Sequence, residues 1–269
     1  MSQIPSGAPQ REWDAEAYHR LSEPQFVWGM KVLNRLELHG DERVLDVGCG
    51  SGRLTAELRK RLPSGAVTAT DLSLNMVFAA RATLSARFSD RCHVVNAAAQ
   101  ALPFTETFDV VFSTATFHWV TDHMELFRSI FEALAPDGRL HAQCGGGPNL
   151  AELHARADTL RKSSPFVQFF DAWRDPWEFA DDVTTSARLR AAGFSNVDTS
   201  LEHAPTVFTD AATYSEFITK VVVRPYLQHL PEALQDTFVS RLTEQASADD
   251  PPYTLDYWRL NLAATRSPA

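Results

Sequence analysis

Three glycines at alternate positions, Gly48, Gly50 and Gly52, follow an apolar run containing Asp46 in VLDVGCGSGRLT, residues 44–55. A backbone without β-carbons lets a ligand approach closely and takes up the positive φ of a tight turn at no steric cost. Cys49 lies inside the same loop. Asp71 closes the next apolar run about 20 residues further on, where a carboxylate can accept both hydroxyls of a ribose. The competing role for Asp71, capping the helix that follows, falls better to Ser73. Loop and acid together predict a ligand of adenosine type. The dinucleotide fingerprint is GxGxxG, whereas this loop reads GxGxG with Ser51 between the last two glycines.

A second group of reactive side chains follows the fourth apolar run, in TATFHWV, residues 114–120. Trp119 carries an indole N–H donor, and His118 is a donor or a base. Each has a structural alternative, Trp119 as a core aromatic and His118 as a satisfied polar residue. A further cluster, Phe166, Phe169, Phe170, Trp173, Trp177 and Phe179, either lines an apolar pocket or forms the small core of a lid.

The elements that must position these residues alternate regularly. Apolar runs at 43–48, 66–72, 92–97, 108–114 and 139–144 read as strands, with helical patterns at 53–62, 75–88 and 123–134 between them. Leu54, Leu58 and Leu62 mark one stripe of the first of these helices. Repeated strand–helix units imply an α/β fold with a parallel sheet covered on both faces. GGGPN at 145–149 breaks the pattern. Beyond it the spacing predicts a helix over 182–194, a strand near 195–202, mostly helix over 203–250 and a last strand within 257–266.

In order and spacing, VLDVGCGSG, TDLS, ALPF, FDVVFS and LAPDGRL resemble the class I S-adenosylmethionine-dependent methyltransferases, over residues 40–145. The resemblance implies a Rossmann-like, doubly wound, mostly parallel seven-stranded sheet with the last strand antiparallel, plus a helical lid. It implies S-adenosylmethionine as cofactor. Asp46, Cys49 and the loop from Gly48 to Gly52 would face its methionine portion and ribose, Asp71 the ribose hydroxyls, and Leu72 one adenine face, with Thr114 at the end of the fourth strand. The acid that usually receives the adenine amino group is replaced by Ala98, so Asn96, Gln100 or the backbone of Ala98 and Ala99 would substitute.

For the acceptor, Tyr18, Ser22 and Gln25, with HWV further on, are similar to the juvenile hormone acid methyltransferases, and HWV before Asp122 is similar to the trans-aconitate methyltransferases. Both imply O-methylation of a carboxylic acid, with Gln25 and Trp119 on the carboxylate, His118 beside them, and Tyr18, Trp28 and Phe117 contacting substrate. Carbon methylation of lipid-quinone type, another hydroxyl or amine acceptor, a nicotinamide-dependent oxidoreductase and a non-catalytic binding module are the alternatives. The expected organisation is a helical cover over 1–39, a cofactor core over 40–147, a substrate lid from 148–181 and 203–250, and further sheet elements from 182–202 and 251–269.

The 269-residue chain, 44% hydrophobic, is long enough for a domain core and an elaboration. A net charge of −9 without a basic block argues against nucleic acid and for a small-molecule partner. Three cysteines without CxxC spacing suggest neither a disulfide framework nor zinc, and nine histidines contain no pair at i, i+3 or i, i+4, so no metal is expected. With no signal segment and no run long enough to span a bilayer, a cytoplasmic protein is expected.

Overall fold

The computed structural model describes residues 23–85, 87–88 and 90–267. Its centre is a seven-stranded sheet of β1 (Arg43–Val47), β2 (Ala66–Asp71), β3 (Cys92–Asn96), β4 (Phe108–Thr114), β5 (Leu134–Gly145), β6 (Phe194–His203) and β7 (Trp258–Arg266), in spatial order β3-β2-β1-β4-β5-β7-β6. The first five strands are parallel. β7 inserts between β5 and β6 and runs antiparallel to both. The last strand in sequence is therefore not an edge strand, and this insertion carries residue 259 to a place that matters below.

Strand order reverses between β1 and β4, so the loops leaving their C-terminal ends splay apart and open a crevice there. β1 is buried on both faces from Val44 to Val47, as an apolar run flanked by helices should be. Helix α1 (Glu23–Arg35) packs Val32 and Leu33 onto Val44, Val110 and Phe112. α2 (Arg53–Lys60) buries Leu58, and α3 (Leu74–Ser85) meets it through Ala80. α4 (His123–Ala133) begins at Asp122, whose carboxylate accepts the N–H groups of Met124 and Glu125. The strand expected over 139–144 begins earlier, at Leu134, because the turn after α4 pairs with Phe108 before the ladder resumes at Val110 and Arg139.

A second core lies over the crevice. α5 (Ala151–Arg161), α6 (Asp182–Ala191), α7 (Ala211–Phe217) and α8 (Glu232–Ala246) follow the sheet elements, and α6 packs on β6 as part of the sheet layer. Side chains from α5, α7 and α8 surround the fully buried Phe166, Tyr214 and Phe238. The 166–179 cluster divides between both roles raised by its sequence. Phe166 and Phe170 are core, whereas Trp177 and Phe179 reach a cavity. No helix among the described residues is long and apolar enough to cross a membrane.

Candidate active site

The glycine loop is tied to β2 before any ligand is considered. The N–H groups of Gly48 and Cys49 both donate to the Thr70 carbonyl, at 2.8 and 2.9 Å. Gly48, Gly50 and Gly52 have φ of 76°, 54° and 81°, the left-handed region in which a β-carbon is strained. Their surroundings differ. A β-carbon on Gly48 would lie 2.1 Å from the Thr116 hydroxyl, one on Gly52 3.2 Å from Ala80 Cα, and one on Gly50 would meet nothing within 4 Å. Gly48 and Gly52 thus serve packing, while Gly50 faces the open crevice.

Asp71 braces this loop from β2. One carboxylate oxygen accepts the Gly50 N–H at 2.9 Å, the other the Ser73 N–H at 2.9 Å. A carboxylate oxygen has two lone-pair sites and can accept from more than one donor. Ser73 in turn accepts the Met76 N–H and starts α3. The crevice beside them is a cleft of about 920 Å³, bordered by Gly48, Gly50, Asp71, Leu72, Ala99, Gln100, Thr114 and Trp119 among others. Leu72 is 46% exposed on its rim.

Four residues expected at this cleft sit elsewhere or act differently. Asp46 is only 3% exposed and its carboxylate accepts the Thr55 hydroxyl at 2.6 Å, behind the loop rather than in front of it. Ala98 stands outside the cleft wall, which is made by Ala97, Ala99 and Gln100. Asn96 uses its amide nitrogen on the carbonyls of Asp71 and Leu72, so it shapes the β2 exit, and Gln100 is the side-chain amide that borders the cleft. Cys49 borders a side recess with Gln25, Ser51 and Arg53, and burial holds its thiol well above the ordinary range, so it stays protonated.

Burial also pushes the Asp46 carboxyl up to about 7, helped by the negative charge of Asp71 and opposed by the Thr55 hydroxyl. The folded state therefore holds its proton while the unfolded chain releases it near pH 4. Folding loses stability progressively as pH rises from about 4 to 7, and no further above that. Asp46→Asn keeps the Thr55 bond and removes the titration. Its melting temperature should exceed the wild type's by more at pH 8 than at pH 5; a gap that shrinks or reverses with rising pH would contradict this assignment.

Past β4 the chain makes a short turn, Phe117–Trp119, that carries the second group of reactive side chains. Phe117 is 1% exposed and packs edge-on to Phe127, so it is core and not a substrate contact. Trp119 borders the cleft on one side and a narrow recess, the acceptor chamber, on the other. His118 faces the chamber and accepts the Gly145 backbone N–H on Nδ1 at 3.1 Å. A backbone N–H can only donate, so Nδ1 is the lone-pair nitrogen and the ring hydrogen sits on Nε2. His118 therefore presents a donor.

The rest of the chamber comes from distant parts of the chain: Gln25 on α1, His154 on α5, Trp177 and Phe179, Val221 and Val222, Tyr257 and Arg259. Gln25 also borders the side recess by the glycine loop, and its Oε1 is buried with no hydrogen-bond partner. Burial pulls His154 down to about 4, so it is neutral at physiological pH. Trp28 lies one layer behind the wall, with its ring against Tyr257 at 4.8 Å and the Arg259 guanidinium over it at 4.7 Å. Tyr18 and Ser22 lie outside the described residues. Arg259, 3% exposed, carries no sequence motif and was not among the expected residues. Among the described residues no group of three or more His, Cys, Asp and Glu is placed to hold a metal ion.

Residues 44–138 match a methyltransferase domain model. The trans-aconitate 2-methyltransferase of Variovorax paradoxus is 28% identical over 242 residues, covering 85% of this chain and 86% of the relative. That of Escherichia coli (strain ATCC 8739) is 26% identical over 253 residues, covering 86% of each. The chain carries a methyltransferase domain over residues 44–138, and its fold is that of the class I S-adenosylmethionine-dependent methyltransferases. Its fold is shared with Haemonchus contortus phosphoethanolamine N-methyltransferase 2, solved with phosphomonomethylethanolamine and S-adenosylhomocysteine, at a TM-score of 0.61, 19% identity, 95% of this chain and 57% of that one. A [4+2]-cyclase, SpnF, superposes nearly as well, at a TM-score of 0.59, 18% identity, 90% of this chain and 82% of that one. A methyltransferase of this class thus has to be read for its acceptor from the chamber and not from the fold.

Proposed function

We propose that this methyltransferase esterifies a carboxylic acid. The observation that carries the reading is the His118 tautomer: the chamber presents a neutral N–H donor beside the Trp119 indole, with the histidine's lone pair already committed to Gly145. A carboxylate is ionised at neutral pH and needs donors, whereas a phenol, an amine or a carbon acid needs a base to remove its proton. A base at His118 would have to work through Nε2, which holds the hydrogen.

S-adenosylmethionine, when bound, would supply an electrophilic methyl group on its sulfonium, and a carboxylate acceptor would need no proton removed to receive it. The residues proposed to hold the cofactor are Gly48, Cys49 and Gly50 through the loop backbone, Asp71 on the ribose, Leu72 against the adenine, and Ala99, Gln100 and Thr114 along the cleft. The fit rests on Gly50, which lines the cleft with open space where a β-carbon would stand, and on the Asp71 carboxylate beside it. On the acceptor side, the Trp119 indole and His118 Nε2–H hold the carboxylate near the opening between cleft and chamber, and Gln25 closes it from α1. Trp177, Phe179 and Val221 keep water from the reacting oxygen, which raises its nucleophilicity.

The test is a methyl-transfer assay over trans-aconitate, linear acids of graded length, phenols and amines, with product identified by mass and by cleavage with hydroxylamine, which attacks esters. Hydroxylamine-labile monomethyl products from acids alone are expected. Transfer to phenols, amines or carbon with none to acids would refute the reading.

A further inference from the structure

Two successive carbonyls of the turn after β4 are gripped from outside it. The Phe117 carbonyl meets His123 Nε2 at 3.1 Å and accepts the Val120 N–H at 2.9 Å, which fills both of its lone pairs. The His118 carbonyl accepts the Glu178 N–H at 2.9 Å. His123 opens α4, and Glu178 stands between Trp177 and Phe179, both of which line the chamber. Arg188 on α6 joins the two grips. Its Nη1 donates to Glu178 Oε1 at 2.8 Å and lies 3.2 Å from His123 Nδ1. Turn, His123, Arg188 and Glu178 thus close a ring of bonds, with Glu178 returning to the turn through its own backbone.

The hydrogens of this ring have one arrangement. A guanidinium only donates, so His123 Nδ1 is the lone-pair nitrogen and the hydrogen sits on Nε2. A carbonyl only accepts, so the bond to Phe117 requires the same tautomer. Arg188 therefore sets the form of His123 that can hold the turn. Burial, with the Arg188 charge beside it, holds the His123 pKa below the ordinary histidine range, and the ring is neutral at pH 7.

His123 is 3% exposed, with its ring 5.6 Å from that of Phe127. Apolar packing in place of a buried polar network is often neutral for stability, so stability alone does not account for a histidine and an arginine here. What the pair adds is orientation. The two gripped carbonyls belong to the peptide planes on either side of the His118 α-carbon, so holding them fixes the direction in which the His118 side chain leaves the turn, and Trp119 follows from the second plane.

Given the reading of this turn as the acceptor's anchor, on which this rests, we infer that Arg188, which borders neither cleft nor chamber, is a positioning residue for methyl transfer, acting through His123 and Glu178 on the aim of His118 and Trp119. Through Glu178 the same ring sets Trp177 and Phe179 against the turn.

The test is Arg188→Met in the full-length protein, read in two ways. Amide hydrogen exchange, followed by mass spectrometry, should be at least about fivefold faster than in the wild type at Trp119, Val120 and Glu178, while Gly48 and Cys49, bonded to Thr70, keep their wild-type rates. In steady-state transfer to the best acid of the assay above, kcat should fall about 5- to 50-fold, the scale of a small misplacement of the reacting groups, with the KM for S-adenosylmethionine within about twofold. In a His118→Phe background the same substitution should cost markedly less, because one of the two groups it aims is already gone. Glu178→Ala, at a side chain 35% exposed, should show the same pattern at smaller amplitude and replaces Arg188→Met if that variant does not fold. Wild-type exchange at the turn in a folded variant overturns the inference, and so does a kcat within about twofold of the wild type or an equal loss in both backgrounds. If no acid is methylated at all, the carboxylate reading has failed, and the exchange rates alone decide the role of Arg188.

Discussion

Asp71→Ala should weaken binding of S-adenosylhomocysteine by about 30- to 1000-fold in calorimetry, which corresponds to about 2–4 kcal/mol for two charge-assisted bonds to a ribose. Two effects add. The hydroxyl acceptor disappears, and the Gly50 and Ser73 N–H groups that the carboxylate now receives lose their partner, so the loop is no longer held in its ligand-ready shape. Asn is a poor rescue at this position. Each carboxylate oxygen accepts one backbone N–H, and an amide has only one oxygen, so one N–H would face an NH₂ group in either orientation. Asp71→Asn should therefore lie within about tenfold of Asp71→Ala and far from the wild type. A dissociation constant within threefold of the wild type for both variants, with melting temperatures unchanged, would exclude Asp71 from the cofactor site.

The first half of the site was legible in the sequence because one local unit builds it. A strand, a glycine turn and a helix need only their own residues, and Asp71 closes the neighbouring parallel strand, so motif spacing and spatial order coincide. Asp46 was misread for a local reason. A strand side chain points to one face only, and Asp46 points at Thr55 on α2, nine positions along, rather than along the strand towards the ligand. A polar residue in the first turn of the following helix was the available signal. Trp28 and Phe117 carry the right chemistry, but a wall and the layer behind it have the same composition, and burial alone separates them.

The chamber was far less legible. The Gly145–His118 bond joins the end of β5 to the turn after β4, 27 residues apart in sequence, and it decides whether the histidine is a donor or a base. Arg259 is a lone arginine in an alternating strand. Nothing near it in sequence separates it from a solvent-facing residue of an edge strand. The antiparallel insertion of β7 is what places it opposite Gly145, beside the turn that carries His118, and no local pattern encodes that insertion.

His118 and Trp119 carry the second large effect. His118→Phe removes the Nε2–H donor and keeps an aromatic ring against Phe179, and Trp119→Phe removes the indole N–H. Each should lower kcat/KM for the acid by about 10- to 150-fold, the cost of one hydrogen bond to a charged group. The loss should appear in KM as weaker holding and in kcat as poorer alignment of the oxygen with the methyl carbon. The two side chains are neighbours on one turn and serve one carboxylate, so the double variant should lose less than the product of the single losses.

The pH profile separates a donor from a base. With the hydrogen on Nε2 and Nδ1 accepting from Gly145, the active form of the wild type is the neutral ring, and no further proton has to leave for transfer to occur. Activity on an acid should be flat from about pH 7 to 9, and His118→Phe should give a parallel, lower line. If His118→Phe instead recovers towards wild-type rates as pH rises, the histidine takes a proton from the acceptor during transfer. A carboxylate would not need that, and carbon or phenol methylation would then replace esterification as the reaction of this chamber.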